Sequence, residues 1–314
     1  MTLSLPPVLQ RGLLAGLTSL LFAGSFIAGK YTTFEIGPLT TSLFRYTIAS
    51  AVLGLLVARS TQGTLTLARR DWLPAGLMGS FGVLGYHAFF FASLNHTAIA
   101  NTAIINAFNP VVTGVLAVIV LGERLARRQY LGVAIALAGV LVLLSQGGTG
   151  GAIALGLNLG DGLMLCAVLC WAIYSLLVKR LSQRYSGLTL TFYAAIAGVA
   201  QLLIAASTEH WWQHLTTLSV TAWLALLYMG IAASGIGYLL FNLSIQRIGP
   251  TRTASVVYGC VPLWVALLAF LFFQQPVTLA MGASMGLTLV GLRLVLHTKT
   301  LGSSPQPPNA LSQQ

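Results

Sequence analysis

Charged residues are scarce in this sequence, and the five acidic residues are much rarer than the sixteen basic ones. Only 7% of the 314 residues are charged and 56% are hydrophobic, whereas soluble domains carry about 25% charged residues. This deficit excludes an ordinary soluble domain and predicts a polytopic membrane protein. The net charge of +11 does not indicate a nucleic-acid partner, because lysine and arginine stand singly or in short groups between apolar runs.

Motifs that carry catalysis or hold a metal are also missing. The sequence has no glycine-rich phosphate loop, zinc-ligand spacing or nucleophile elbow, and its short loops leave no room for a catalytic domain. Its three cysteines lie inside apolar runs, which is not the pattern of a disulfide framework or a metal site. No cleavable signal is expected, since only Arg11 precedes the first apolar run. We therefore expect no enzyme activity, catalytic residue, cofactor or metal.

Ten apolar runs are long enough to cross a bilayer, which takes about 20 residues. They predict an all-α integral membrane fold with ten transmembrane helices. A chargeless, glycine-rich segment at residues 146–160 separates the first five runs, in residues 1–145, from the last five, in residues 161–298. Residues 299–314 are rich in serine, proline and glutamine, which predicts a disordered cytoplasmic tail.

Basic residues are concentrated in alternate connections between the runs. With the amino terminus inside, the external connections hold Lys30 as their only basic residue, together with Glu35, Asp161 and Glu209. The positive-inside rule then places both termini in the cytoplasm. Because each half has five spans, the second half enters from the opposite side. The halves are thus predicted to be inverted repeats around a central cavity, an arrangement frequent in secondary transporters.

The fourth run carries a proline and a stripe of polar residues. Pro110 should kink the helix and deprive the carbonyl of Asn106 of its partner, and a free carbonyl in hydrocarbon must face protein, water or a ligand. Thr102, Asn106, Asn109 and Thr113 follow one another at helical spacing on one face. This face should point to the bundle interior rather than to lipid.

The ninth run repeats this pattern. When Pro262 is aligned with Pro110, Tyr258 falls on Asn106, and the match extends without a gap in both directions. We interpret this as an internal repeat, with both proline kinks near the midplane of the bilayer. Interrupted helices at the midplane of a repeat interface indicate a transport site. Two further matches are Gly85-Tyr86 with Gly237-Tyr238 and Gly139 with Gly291.

Aromatic and polar side chains around the kinks, with Phe90 in the third run and Phe22 and Ser25 in the first, could line the cavity and suit a small amphipathic solute. The alternative is that aromatic residues at helical spacing are core or lipid-facing residues. The candidate substrate-binding residues are Asn106, Asn109, Thr102, Tyr86, Tyr238, Asn242, Tyr258, Trp171 and Arg45.

Two titratable residues inside the runs have two interpretations each. Arg45 could bind a substrate carboxylate, or it could be a structural residue that extends outward to the interface or caps helix-end carbonyls. His87 could carry a proton, or it could be a hydrogen-bonded structural residue. No acidic residue lies in the interior of a run, so no carboxylate is an obvious proton carrier. Glu123, beside several arginines, is expected in a solvated salt bridge.

Three features resemble the EamA-type transporters of the drug/metabolite transporter superfamily. They are the kinked span that ends in VLGERLARRQYLGVAIALAGVLVLL (Val120–Leu144), the early arginine in LFRYTIAS (Leu43–Ser50) and the five-plus-five repeat. The second half departs from the family pattern, because Gln274-Gln275 replaces the usual Gly-Glu.

The resemblance implies a ten-helix bundle that works by alternating access. We expect a bacterial inner-membrane carrier that exports amino acids or related small metabolites. The alternatives are a flippase-like protein acting on a lipid-linked substrate and a drug exporter acting on cations. The expected partners are a small-molecule substrate and the lipid bilayer, and the expected state is a monomer rather than a homodimer.

Overall fold

The computed structural model describes residues 7–59, 66–121, 127–144 and 158–296. Within those ranges all regular secondary structure is helical, which confirms the all-α class expected from the apolar runs. Three expectations concern residues outside the described ranges. They are the salt bridge of Glu123, the disordered tail at residues 299–314 and nearly all of the joining segment at residues 146–160.

The first half of the chain forms a series of α-helices with one π-helical segment. α2 begins directly at Pro38, whose fixed φ suits the first turn of a helix. In chain order the described segments are α1 (Pro7–Thr33), α2 (Pro38–Ala58), α3 (Trp72–Met78), the π-segment Gly79–Gly85, α4 (Tyr86–His96), α5 (Ile99–Asn106), α6 (Asn109–Leu121) and α7 (Arg127–Leu144).

The second half repeats this order with a longer π-segment. Three of its helices directly follow an N-cap residue whose side chain accepts a hydrogen bond from the first turn, namely Asn158, Ser186 and Ser219. In chain order the described segments are α8 (Leu159–Leu181), α9 (Gly187–Ala205), α10 (Val220–Leu227), the π-segment Tyr228–Gly237, α11 (Tyr238–Ile248), α12 (Pro250–Phe273) and α13 (Leu279–Leu296).

Eight segments of the described chain are long and apolar enough to cross a membrane, four in each half. They correspond to eight of the ten predicted spans. The remaining two correspond to α7 and α13, and the apolar part of α13, Leu279–Gly291, is shorter than a full span. The chain is thus a multi-pass membrane protein, while ten spans and the inverted orientation of the halves stay predictions.

The two halves interleave rather than lie side by side. α1 packs against α10, α11 and α12 of the other half, and α8 packs against α4, α5 and α6. α1 and α8 are the first helices of their halves, so each half encloses the first helix of the other. This exchange brings residues from both halves to the centre of the bundle.

α7 and α13 pack closely through two glycines that the repeat alignment pairs. A Cβ atom on Gly139 would lie 2.8 Å from the carbonyl oxygen of Ser284, and one on Gly291 would lie 2.4 Å from that of Gly132. Both positions therefore need glycine because a backbone carbonyl of the other helix approaches them. Equivalent residues thus have equivalent roles, which supports the internal repeat.

The π-segments are a second feature shared by the two halves. One ends at Gly85 and the other at Gly237, which the repeat alignment pairs, and a tyrosine follows each. A π-helix widens the turn and occurs frequently at functional sites. In this protein the hydroxyl of Tyr238 donates to the carbonyl oxygen of Gly82 in the other π-segment, at 3.0 Å.

The two central prolines have unequal effects on their helices. At Pro110 the helix is interrupted, because α5 ends at Asn106 and α6 begins at Asn109 after a two-residue turn. At Pro262 the helix continues, since α12 runs from Pro250 to Phe273. The prediction of a disrupted helix is therefore met at the first proline, whereas the ninth run is a single helix.

Three acidic residues join the halves at one end of the bundle, which we call the acidic face. The Glu35 carboxylate accepts hydrogen bonds from the backbone N–H and hydroxyl of Ser219, at 2.9 and 2.5 Å. Glu209 accepts from the backbone N–H groups of Leu39 and Thr40, at 3.1 and 2.7 Å. Asp161 accepts from the hydroxyl of Thr97 at 2.9 Å.

A fourth acidic residue joins the halves at the opposite end, which we call the arginine face. Asp71 is buried and accepts a hydrogen bond from the hydroxyl of Tyr185 at 2.7 Å. Arg184 lies 3.3 Å from the same carboxylate. All four acidic residues in the described ranges therefore hold the two halves together at the ends of the bundle.

Candidate functional site

A small cavity lies at the centre of the bundle, where helices of both halves meet. Its volume is about 20 Å³, which is room for about one water molecule. An amino acid does not fit in it, so binding a solute of that size requires a wider cavity. The lining residues are Phe22, Ser25, Phe26, Arg45, Tyr86, His87, Phe90, Asn106, Trp171 and Tyr238.

Trp171 of α8 is the centre of the aromatic wall. Its ring centroid lies 4.7 Å from that of Tyr86, 4.9 Å from that of Tyr238 and 5.9 Å from that of Phe22. Because α8 is enclosed by the first half, this indole reaches the rings of α4. Tyr86 and Tyr238 are paired by the repeat alignment, and their rings line the same cavity. The aromatic wall therefore comes from both halves.

Arg45 of α2 is buried, with only 2% of its surface exposed. Its Nε donates to the hydroxyl of Ser234 in the second π-segment, and its guanidinium carbon lies 5.7 Å from the ring centroids of Tyr46 and Phe91. The interpretation that it extends outward to the interface is thus wrong, because helices of both halves cover it. No acidic residue lies among the ten that line the cavity.

A buried guanidinium without a carboxylate partner is costly in a membrane protein, by several kcal/mol. The guanidinium of Arg45 is desolvated and is surrounded by aromatic rings and hydroxyl groups. An anion is therefore the group that binds most favourably beside this guanidinium. Arg45 therefore gives the cavity a positive charge that a carboxylate can neutralise.

His87 of α4 also lines the cavity, and its ring is held by the protein. Its Nδ1 lies 3.1 Å from the carbonyl oxygen of Val83, so Nδ1 carries the hydrogen of that bond. Its Nε2 lies 3.5 Å from the hydroxyl of Tyr46. These contacts are what we expect of a hydrogen-bonded structural histidine. A role of His87 in proton transfer stays a prediction.

The polar stripe of the fourth run faces the interior, as predicted. Thr102, Asn106, Asn109 and Thr113 are each at most 1% exposed. Asn109 donates to the side-chain oxygen of Asn106 at 2.8 Å, and Asn106 lines the cavity. The other three stripe residues are not among the lining residues, so Asn109 supports Asn106 from behind.

Asn242 and Tyr258 are buried but are not among the residues that line the cavity. The Asn242 amide donates to the hydroxyls of Tyr174 and Thr191, at 2.9 and 2.7 Å. It therefore joins α8, α9 and α11 within the second half. The ring of Tyr258 lies 6.2 Å from that of Trp171, one layer outside the cavity.

Sequence reasoning missed two residues that matter at this site. Phe26 lines the cavity, and its ring packs edge-to-face against that of Phe90 with 4.7 Å between the ring centroids. Ser234 binds Arg45. Each residue had one weak signal in the sequence. Phe26 lies one helical turn from Phe22, and Ser234 is the only serine in its π-segment.

Several polar atoms near the cavity are buried without a hydrogen-bond partner in the described structure. They include Ser25 Oγ and Trp171 Nε1, which belong to lining residues, and the hydroxyl oxygen of Tyr258. Unpaired buried polar groups cost about 1–3 kcal/mol each. A bound polar solute could satisfy the two at the lining. Among the described residues no cluster of His, Cys, Asp or Glu could hold a metal ion.

The sequence is similar to those of several proteins that are named as transporters or exporters. The chain is 28% identical to an uncharacterized transporter, YyaM, of Bacillus subtilis, over 80% of this chain and 82% of the relative. It is 27% identical to a probable terminal-alkyne amino-acid exporter of Streptantibioticus cattleyicolor, over 91% and 93%. It is 25% identical to the aromatic amino acid exporter YddG of Ancylobacter novellus, over 81% and 86%.

Both halves of the chain also match one family of membrane proteins. Residues 10–145 and residues 158–297 each match the EamA-like transporter family. The two matched regions correspond to the two halves that meet at the central cavity. The chain belongs to the EamA-like transporter family and is a multi-pass membrane transporter.

Proposed function

We propose that this transporter exports amino acids or related small amphipathic carboxylates by alternating access. The observation that carries the proposal is the buried Arg45, which faces a central cavity without an acidic partner among the lining residues. The names of two relatives, both amino-acid exporters, support the substrate class. We further propose ten spans in two inverted repeats, a monomer in the bacterial inner membrane, and both termini in the cytoplasm.

The cavity offers three kinds of contact to such a substrate. The Arg45 guanidinium binds the carboxylate in a charge-assisted, forked geometry. The aromatic wall around Trp171 covers an apolar side chain. The side chains of Ser25 and Asn106 line the same cavity, and their oxygens can accept hydrogen bonds from the substrate ammonium group. The charged and polar contacts come from the first half, and Trp171 and Tyr238 of the second half complete the aromatic wall.

Alternating access requires the halves to separate at one end of the bundle at a time. The 20 Å³ cavity is the closed form of the site. At the acidic face separation breaks the contacts of Glu35, Glu209 and Asp161, and at the arginine face it breaks those of Asp71. These contacts are polar and lie near the interfaces, so water can replace them when they open.

The two alternative substrates fit the site less well. A cationic drug would meet the charge of Arg45 and no lining carboxylate. A lipid-linked substrate needs a lateral opening beside a basic headgroup site. An apolar groove does lie between α1, α10 and α12, at residues such as Leu20, Leu224 and Phe272. The basic residues of the arginine face lie on other helices, so these features do not form one path.

Counterflow in proteoliposomes tests the proposal. Wild-type protein should exchange an aromatic amino acid at least about tenfold faster than its carboxamide, because one charge-assisted contact contributes about 1.5–3 kcal/mol. Arg45→Gln should remove this preference, and Arg45→Lys should keep part of it. The ratio of acid to amide within one variant does not depend on how much protein is folded.

Two outcomes would contradict the proposal. Equal exchange of acid and amide by the wild type would remove the role of Arg45 in binding a carboxylate. Failure to exchange any amino acid, together with saturable binding of a lipid-linked sugar or export of a cationic drug, would favour the corresponding alternative.

A further inference from the structure

A second cavity lies at the arginine face, remote from the central cavity. Its volume is about 410 Å³, so it can hold a phosphate group with room to spare. It lies between the start of α3 and the end of α8, at the seam between the two halves. The polar residues that line it are Arg70, Asp71, Arg180, Gln183 and Arg184.

Positive charge exceeds negative charge in this cavity. Asp71 is its only carboxylate among the described residues, and it is already bound by the Tyr185 hydroxyl and by Arg184 at 3.3 Å. Arg70 approaches the same carboxylate only at 3.9 Å. No acidic side chain in the described ranges pairs with Arg180. Three guanidinium groups therefore surround one carboxylate, which leaves an excess of two positive charges.

Two exposed apolar residues follow the lining residues Arg70 and Asp71 in the chain, so an apolar surface lies next to the cavity. Trp72 and Leu73 follow Arg70 and Asp71 directly, and they are 65% and 72% exposed. An exposed indole at the end of a spanning helix is typical of the membrane–water interface. A ligand in this cavity thus meets a charged pocket on one side and an apolar surface on the other, which is the chemistry of a lipid.

We propose that the arginine-face cavity binds the phosphate of an anionic phospholipid headgroup. Arginine binds phosphate with two parallel hydrogen bonds. Basic pockets between membrane helices at the cytoplasmic side bind anionic headgroups. Arg70 and Arg180 hold the phosphate, and the acyl chains extend past Trp72 and Leu73.

The site has a consequence for the contact between the halves. Arg184 binds Asp71 across the seam, and a phosphate in the cavity competes with Asp71 for the same guanidinium. Bound lipid therefore weakens the contact that closes the arginine face. This consequence depends on the proposed alternating access, whereas the binding site itself does not.

Lipid binding to purified protein tests the site without any transport assay. Phosphatidylglycerol and phosphatidylcholine are titrated into detergent-solubilised protein, and bound lipid is counted by native mass spectrometry. The test variant is Arg70→Gln with Arg180→Gln, two residues at the exposed rim of the cavity. The matched control is Arg128→Gln with Arg293→Gln, which removes the same charge at α7 and α13. Size-exclusion chromatography checks that each variant is folded.

We expect one phosphatidylglycerol molecule to bind wild-type protein in preference to phosphatidylcholine. The test variant should bind it about tenfold or more weakly, from the attraction that two arginines contribute near an anionic surface. The control variant should stay within about twofold of wild type. A loss as large in the control, or no preference for phosphatidylglycerol, overturns the proposal. Displacement by millimolar inorganic phosphate assigns the site to a soluble anion and overturns the lipid assignment.

Discussion

Glu209 offers the sharpest test of how the acidic face closes. Its carboxylate accepts hydrogen bonds from the backbone N–H groups of Leu39 and Thr40, at 3.1 and 2.7 Å. These groups belong to the first turn of α2, so the charge also interacts with the positive end of that helix. Glu209 thus caps a helix of the other half, and the proposed opening of the acidic face would break this cap.

Glu209→Gln keeps an oxygen acceptor but removes the charge. The two bonds lose their charge-assisted part, and the interaction with the helix end, which contributes about 0.3–1 kcal/mol, disappears. We expect the substitution to destabilise the closed state by about 1 kcal/mol in total. A change of that size shifts the equilibrium between closed and open acidic faces by about fivefold, since 1.4 kcal/mol corresponds to about tenfold.

Accessibility of the central cavity measures this shift. A cysteine replaces Ser25 in a variant whose three native cysteines have been replaced by serine, and a membrane-impermeant maleimide is added to intact cells. If the acidic face is external, Glu209→Gln should raise the labelling rate by about fivefold. Thr208→Val is the matched control, because the Thr208 hydroxyl donates to the carbonyl oxygen of Ala205 in its own half of the chain. Equal labelling rates in both variants would refute the role of Glu209.

Two further predictions concern the packing of the repeat and the role of His87. Gly291→Ala places a methyl group 2.4 Å from the Gly132 carbonyl oxygen, so it should destabilise the protein by about 1–3 kcal/mol, seen as a lower melting temperature in detergent. Gly286→Ala, which has open space at the same helix, should be neutral, and equal effects would contradict the close approach of α7 and α13. His87→Gln should leave the pH profile of transport unchanged and lower the melting temperature, because the ring is bonded to Val83 and Tyr46. A changed pH profile at unchanged stability would instead make His87 the proton carrier.

The placement of Asn106 and Asn109 was predictable because it follows from one helix. Residues at helical spacing share a face, and a polar face in a membrane helix is driven inward. The same reasoning could not separate the two amides. Asn106 lines the cavity while Asn109 bonds to it from behind, and that distinction depends on how α5 turns into α6 after Phe108.

Arg45 was the least predictable member of the site. Near the end of a span, an arginine can reach the interface or remain buried, and the sequence of its own helix does not decide between these positions. The deciding residue, Ser234, lies in the other half of the chain. The position of Asn242 outside the cavity was unpredictable for a similar reason, because its partners Tyr174 and Thr191 are on two other helices.

The sequence by itself determined that this chain is a helical membrane protein built from two related halves. Hydropathy, the repeat and the family motifs are local features, and each can be recognised in a single stretch of chain. Only the tertiary structure decided which side chains meet. It packs α1 among the helices of the second half and α8 among those of the first. It also joins the halves through four acidic residues and brings Arg45 to the aromatic cavity. These contacts join residues far apart in the chain, and their energies depend on distances that no single helix sets.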